Sequence, residues 1–99
     1  MANTVTIERL TIDDITSRIR RAYGVHTTQT YRGAWMSLSN LAERVDLTFN
    51  EIKAGVLHLA QTDRQCVIAP ESNQRTLTGL DRELAVRYGG QDNHLICWS

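Results

Sequence analysis

The sequence predicts an α+β fold: a core of three helices, a small antiparallel sheet, and an extra helix inserted between the last two strands. Three observations predict it. Thr48-Phe-Asn-Glu51 matches the S/T-x-x-E capping box and opens a helix just after a shorter amphipathic run that begins at Ser37. Thr11-Ile-Asp-Asp14 approximates the same box ahead of another amphipathic run. Cys66–Ala69 and His94–Trp98 are short apolar runs bounded by turn residues, which suits strands.

At 99 residues the chain is long enough for one hydrophobic core. A hydrophobic fraction of 41% and a charged fraction of 22% are ordinary for a globular domain. Formal net charge is zero, so no bulk attraction draws the chain to nucleic acid or to an anionic membrane. Any polyanion site must come from local clustering. The cations are ten Arg and a single Lys, Lys53, and Arg is the better bidentate partner for phosphate and guanine. No apolar run follows the amino terminus and none is long enough to span a bilayer, so no membrane partner and a cytoplasmic location are expected. Cys66 and Cys97 are too few for a disulfide framework and are expected reduced, as neighbours if their strands pair.

Along the chain, residues 1–10 read as an extended arm in which Val5 and Ile7 alternate with polar residues. Residues 11–63 form the helical core. From Thr11, residues Ile12, Ile15, Ile19, Ala22 and Tyr23 fall within an arc of roughly 100°. Arg18, Arg20 and Arg21 suit the carboxyl end of this helix, and Gly24 is placed to stop it. Val25–Gly33 has no helical period and reads as a connection leading to a short strand, Ala34–Met36. Trp35 is expected in the core. Ser37 caps a second helix with Leu38, Leu41, Ala42 and Val45 inward and Ser39, Asn40, Glu43 and Arg44 outward.

Asp46–Thr48 forms a turn, after which Phe49, Ile52, Val56, Leu59 and Ala60 make the buried arc of a third helix. Asn50, Lys53, Ala54, Leu57, His58 and Gln61 occupy its other sides. Gly55, a poor helix former, fits where another helix approaches closely. Residues 64–99 hold the two strands, a polar loop at 71–75, and a helix capped at Thr78 that runs through Leu80, Leu84, Ala85 and Tyr88 to Gly89-Gly90. Gln91–Asn93 reads as a turn. Trp98 either closes the core or joins Val5 and Ile7 in a dimer surface.

This order of elements resembles the winged-helix (winged helix-turn-helix) family, over roughly residues 11–70 and the last strand. The helix within Thr76–Gly90 departs from that family's simple wing loop. The segment PESNQRTLTGLDRELAVRYGGQDNHL, Pro70–Leu95, also resembles the tails of small actinobacterial proteins of unassigned function. The winged-helix resemblance implies sequence-specific binding of double-stranded DNA by a homodimeric transcriptional regulator without a cofactor, with Thr48–Thr62 in the major groove. Its outward residues Asn50, Lys53, Ala54, Leu57 and His58 would face bases. Thr48 and Arg44 would hold the backbone, and Gln74 and Arg75 would lie at the wing tip. The alternative is a protein-interaction winged helix whose third-helix surface, with Leu57 and His58 exposed, contacts a protein and no nucleic acid.

Nothing in the sequence carries catalytic spacing. His26, His58, His94 and the two cysteines lack C-x-x-C or H-x-x-x-H spacing, so no metal is expected. Ser37 and Ser39 have no nucleophile-elbow context, and His94 falls on the opposite strand face from Cys97. The distribution of Arg18, Arg20, Arg21, Arg44, Lys53 and Arg75 over the folded surface separates the two functional readings: convergence favours DNA, and interleaved acids oppose it.

Overall fold

The computed structural model describes residues 10–98; the arm with Val5 and Ile7 lies outside them. Helix α1 spans Ile12–Gln29, strand β1 Met36–Ser37, α2 Leu38–Arg44, α3 Phe49–Thr62 and β2 Cys66–Ala69. A 3-10 turn at Gln74–Thr76 leads to α4 at Gly79–Leu84, followed by β3 Val86–Tyr88, β4 Gln91–Asn93 and β5 Leu95–Trp98. The fold is α+β with four helices, an antiparallel sheet in the order β1-β5-β2, and a separate β3–β4 hairpin.

The helix starts are set by side chains that replace missing intrahelical acceptors. Thr11, Thr48 and Thr78 each accept the backbone N–H of an acidic residue three positions on, and that residue's carboxylate accepts the threonine N–H in return. Ser37 is both the last residue of β1 and the cap of α2, accepting the Asn40 N–H at 3.1 Å. The third helix therefore begins and ends where its sequence pattern places it.

Helix α1 runs past Gly24 for five further residues, so most of the expected connection is helical. Gly24 keeps a negative φ. The continuation is anchored by His26, buried on the same face as Ile19, Ala22 and Tyr23, whose Nε2 sits 3.1 Å from the Trp35 carbonyl. Thr27, Thr28 and Thr30 turn their hydroxyls onto carbonyls three or four residues back, which satisfies them locally. The chain reverses at Arg32-Gly33, where Ala34 N–H donates to the Tyr31 carbonyl and Gly33 takes φ 79°. The strand before α2 is accordingly Met36–Ser37 rather than Ala34–Met36.

The core gathers Ile15, Ile19 and Tyr23 from α1, Leu38 and Leu41 from α2, and Ile52, Val56 and Leu59 from α3. Met36, Ile96 and Trp98 cover it from the sheet, and Leu84 and Val86 from the inserted segment. Trp98 thus belongs to the chain's own core. Trp35, by contrast, is 45% exposed, and Phe49 at the first turn of α3 is 38% exposed, so neither is the core residue expected of it. The Trp35 carbonyl is held by His26.

Gly55 faces Ile15 and Ile19 of α1 at close range. A Cβ there would lie 2.6 Å from both Ile15 Cγ2 and Ile19 Cδ1.

In the inserted segment α4 stops at Leu84, and Val86–Tyr88 is a strand. Gly89-Gly90 is the two-residue turn of a hairpin, both glycines at positive φ, with Tyr88 opposite Gln91. The expected helix stop and the expected Gln91–Asn93 turn are therefore one β-hairpin. Buried Asn93 holds it: its Nδ2 donates to the carbonyls of Val86, Tyr88 and Gln91 at 2.9, 3.1 and 3.1 Å.

Cys66 pairs with Trp98 and Val67 with Cys97, so the two cysteines occupy adjacent strands but opposite faces of the pleat. Both are free and buried.

Candidate nucleic-acid interface

Helix α3 buries Ile52, Gly55, Val56 and Leu59 against α1 and the sheet, so the opposite side is presented outward by the 3.6-residue period. Asn50 and Ala54 on that side are exposed, whereas Lys53, Leu57 and His58 are half-buried. Leu57 packs in part against the core, so Leu57 and His58 are less exposed than the protein-interaction reading expects. The outward face of α3 is thus mainly neutral and polar, with one cation at its edge.

Thr48 spends its acceptor and its N–H on the cap: Glu51 N–H donates to its Oγ1 at 3.1 Å, and its own N–H donates to Glu51 Oε1 at 2.8 Å. Glu51 is thereby folded back toward the helix start. Arg44 donates from Nε to Asn40 Oδ1 at 3.0 Å, which fixes the direction of its guanidinium. Gln74 and Arg75 form the 3-10 turn after β2, where Gln74 Nε2 donates to the Glu71 carbonyl and Arg75 is exposed.

The arginines of α1 separate. Arg20 points to the carboxyl end of α3, where its Nη1 lies 3.1 Å from Asp63 Oδ2. The same Asp63 oxygen accepts the Trp98 indole N–H at 2.9 Å, and Arg20 lies 5.3 Å above the Trp98 ring. The indole hydrogen bond, the Gln65 N–H and the Arg20 charge together hold the Asp63 carboxyl below the ordinary range. Arg20 is therefore structural, tying α1, the end of α3 and β5 together. No local pattern reveals this cluster, because its members are 35 and 43 residues apart.

Arg18 and Arg21 project from the other flank of α1, toward the end of α2. With Arg44 they line a groove of about 370 Å³ whose remaining walls are Ala22, Val25, Val45 and Asp46. The i, i+3, i+7 spacing of Arg18, Arg21 and Val25 is the sequence signal for that flank, one that sets Arg20 apart from its neighbours.

A second concavity of about 500 Å³ opens between the 3-10 turn, α4 and the hairpin, with Arg82, Arg87 and His94 among its lining residues. Arg87 is paired with Asp92 at 3.4 Å, and His94 Nδ1 accepts the Glu71 N–H at 3.1 Å. Among the described residues no three His, Cys, Asp or Glu side chains gather as metal ligands, and no helix is long and apolar enough to cross a membrane. Burial pushes the Cys66 thiol up to about 12, far from a nucleophile's range. Comparisons with protein-family models, characterised proteins and solved structures return no match to this chain.

Proposed function

We propose that the chain is a winged-helix protein that binds double-stranded DNA sequence-specifically, as a homodimeric regulator with α3 in the major groove. The observation that carries this reading is the sheet order β1-β5-β2 around α1, α2 and α3. In it the strand before α2 and the strand after α3 flank the last strand, which supports the expected short strand packed with three helices and a strand pair after α3. The 14-residue α3 is capped at Thr48 and backed by the core, which leaves its Asn50 and Ala54 side accessible. In this reading Asn50 pairs with an adenine edge, Ala54 allows close approach, and Lys53 meets guanine or phosphate. The inserted α4 and hairpin replace the simple wing, with Gln74 and Arg75 near its start.

The protein-interaction reading is favoured by two observations: the α3 surface carries a single cation, and Arg20 is withdrawn to Asp63. Convergence of Arg18, Arg21 and Arg44 weighs on the other side.

The test is binding of the purified protein to fragmented genomic DNA across a salt series. Enrichment of particular fragments, with affinity falling steeply with log salt, is the expected result. Asn50→Ala then relaxes fragment preference, and Lys53→Ala lowers the salt slope by about 1. Absence of binding near 50 mM salt, a low-salt condition, refutes the DNA reading and directs attention to a protein partner for α3.

A further inference from the structure

We infer that the groove bounded by Arg18, Arg21 and Arg44 grips the phosphate backbone of duplex DNA next to the segment read by α3, an assignment that rests on the DNA-binding reading above. The three arginines come from two helices and line one concavity. Two of them, Arg18 and Arg21, are one turn apart on α1, and among the described residues neither forms an ion pair. Like charges held around one groove repel unless an anion sits among them.

The walls suit the purpose. Ala22, Val25 and Val45 add apolar surface to the same lining, the kind of surface on which arginine stems can lie while their heads stay in water. Arg44 is already oriented by Asn40, so less side-chain freedom is lost when it meets a phosphate oxygen.

Position favours DNA over an unrelated anion. Val45 lines the groove, and the chain reaches the α3 cap at Thr48 three residues later. Three residues span at most about 11 Å, which is about three nucleotide rises of one strand at 3.4 Å each. The Val45 edge of the groove therefore lies within a few nucleotide rises of the start of α3. Among the described residues Asp46 is the one acid lining the groove, and it offsets part of the arginine field.

The experiment is an anisotropy titration of a wild-type-enriched DNA fragment at several salt concentrations, using the full chain and two variants. Arg18→Gln/Arg21→Gln removes two phosphate contacts, so the slope of log affinity against log salt becomes shallower by about 1.8, while fragment preference is kept. Asp46→Asn removes the opposing charge and tightens binding severalfold. Circular dichroism establishes that both variants are folded. If the wild-type protein binds and the double variant keeps the full slope, the groove assignment is overturned and the DNA reading stands. If Asp46→Asn binds no tighter, the assignment fails likewise. If the wild-type protein binds no duplex, both fall together.

Discussion

Replacing Gly55 with alanine isolates the close approach of α1 and α3. In an exposed helix the change stabilises by about 1 kcal/mol, because alanine has the best helix propensity and glycine among the worst. Here the new methyl would stand 2.6 Å from Ile15 Cγ2 and from Ile19 Cδ1. Carbon atoms rest about 3.5–4.0 Å apart, so roughly 1 Å must open between the helices. Both isoleucines are buried, Ile15 at 6% and Ile19 at 0% exposure, so yielding to the methyl means repacking core side chains. Overpacking of this kind costs about 1–3 kcal/mol, and two simultaneous clashes place it at the upper end. The net expectation is a loss of about 1–2 kcal/mol, or a fall of roughly 5–15 °C in Tm for a domain of this size. Urea unfolding followed by circular dichroism reads it, with unchanged m showing that stability alone has moved. Ile19→Val removes the clashing Cδ1, so the double variant recovers part of the loss in a mutant cycle. Gly24→Ala is the control. Gly24 is exposed within α1 with nothing within 4 Å of its Cβ position, and it gains about 0.5–1 kcal/mol. A Gly55→Ala protein as stable as wild type refutes the contact; a destabilised Gly24→Ala protein refutes the continuation of α1 through that residue.

Asp63 makes stability acid-sensitive in a defined direction. Its folded-state carboxyl is held below the ordinary value, so its contribution is present above the unfolded value of about 3.9 and is lost as pH falls through the folded one. Asp63→Asn is therefore less stable than wild type at neutral pH and shows a shallower loss below pH about 4 in urea titrations. Asp81, lowered chiefly by the Thr78 N–H, has the same sign and accounts for part of the slope that remains. Asn93→Ala leaves three hairpin carbonyls without their side-chain donor and costs about 1–3 kcal/mol, read as faster amide exchange across β3 and β4.

The helical core was legible because its signals are local. A capping box occupies four consecutive residues, and Thr11, Thr48 and Thr78 each act as the sequence indicates. Gly55 was legible as an expense in helix propensity that only a close neighbour explains. Errors arose where a residue supports two structures. Gly24 reads as a stop, yet buried His26 and the self-satisfied threonines carry α1 onward. Gly89-Gly90 ends helices and also turns hairpins; the alternation Val86-Arg87-Tyr88 and the donor set of Asn93 select the hairpin. Trp35 reads as core by its size, yet it is 45% exposed, with its carbonyl held by His26. The split of the α1 arginines depends on Asp63 and Trp98, which no window along the chain connects to them.

That split decides how a chain of zero formal charge presents a local positive field. Arg20 is neutralised by Asp63 and held against Trp98, so it adds little to an approaching polyanion. Arg18 and Arg21 face the groove, but Asp14 lies on the same flank of α1. Seven residues of helix place Asp14 about 10 Å from Arg21 at 1.5 Å per residue, which is one screening length at about 0.1 M salt. Arg18 is only four residues away, about 6 Å, and Asp14 offsets it more strongly. Asp14 is itself engaged by the Thr11 cap, which softens its effect without removing it. The field of the groove is therefore dominated by Arg21 and Arg44, with Asp46 as its main opponent. If the groove holds phosphate, Arg21→Gln weakens binding more than Arg18→Gln, and the gap between them narrows as salt is raised. Equal losses from the two single variants would show that contact geometry, rather than the local field, sets the affinity.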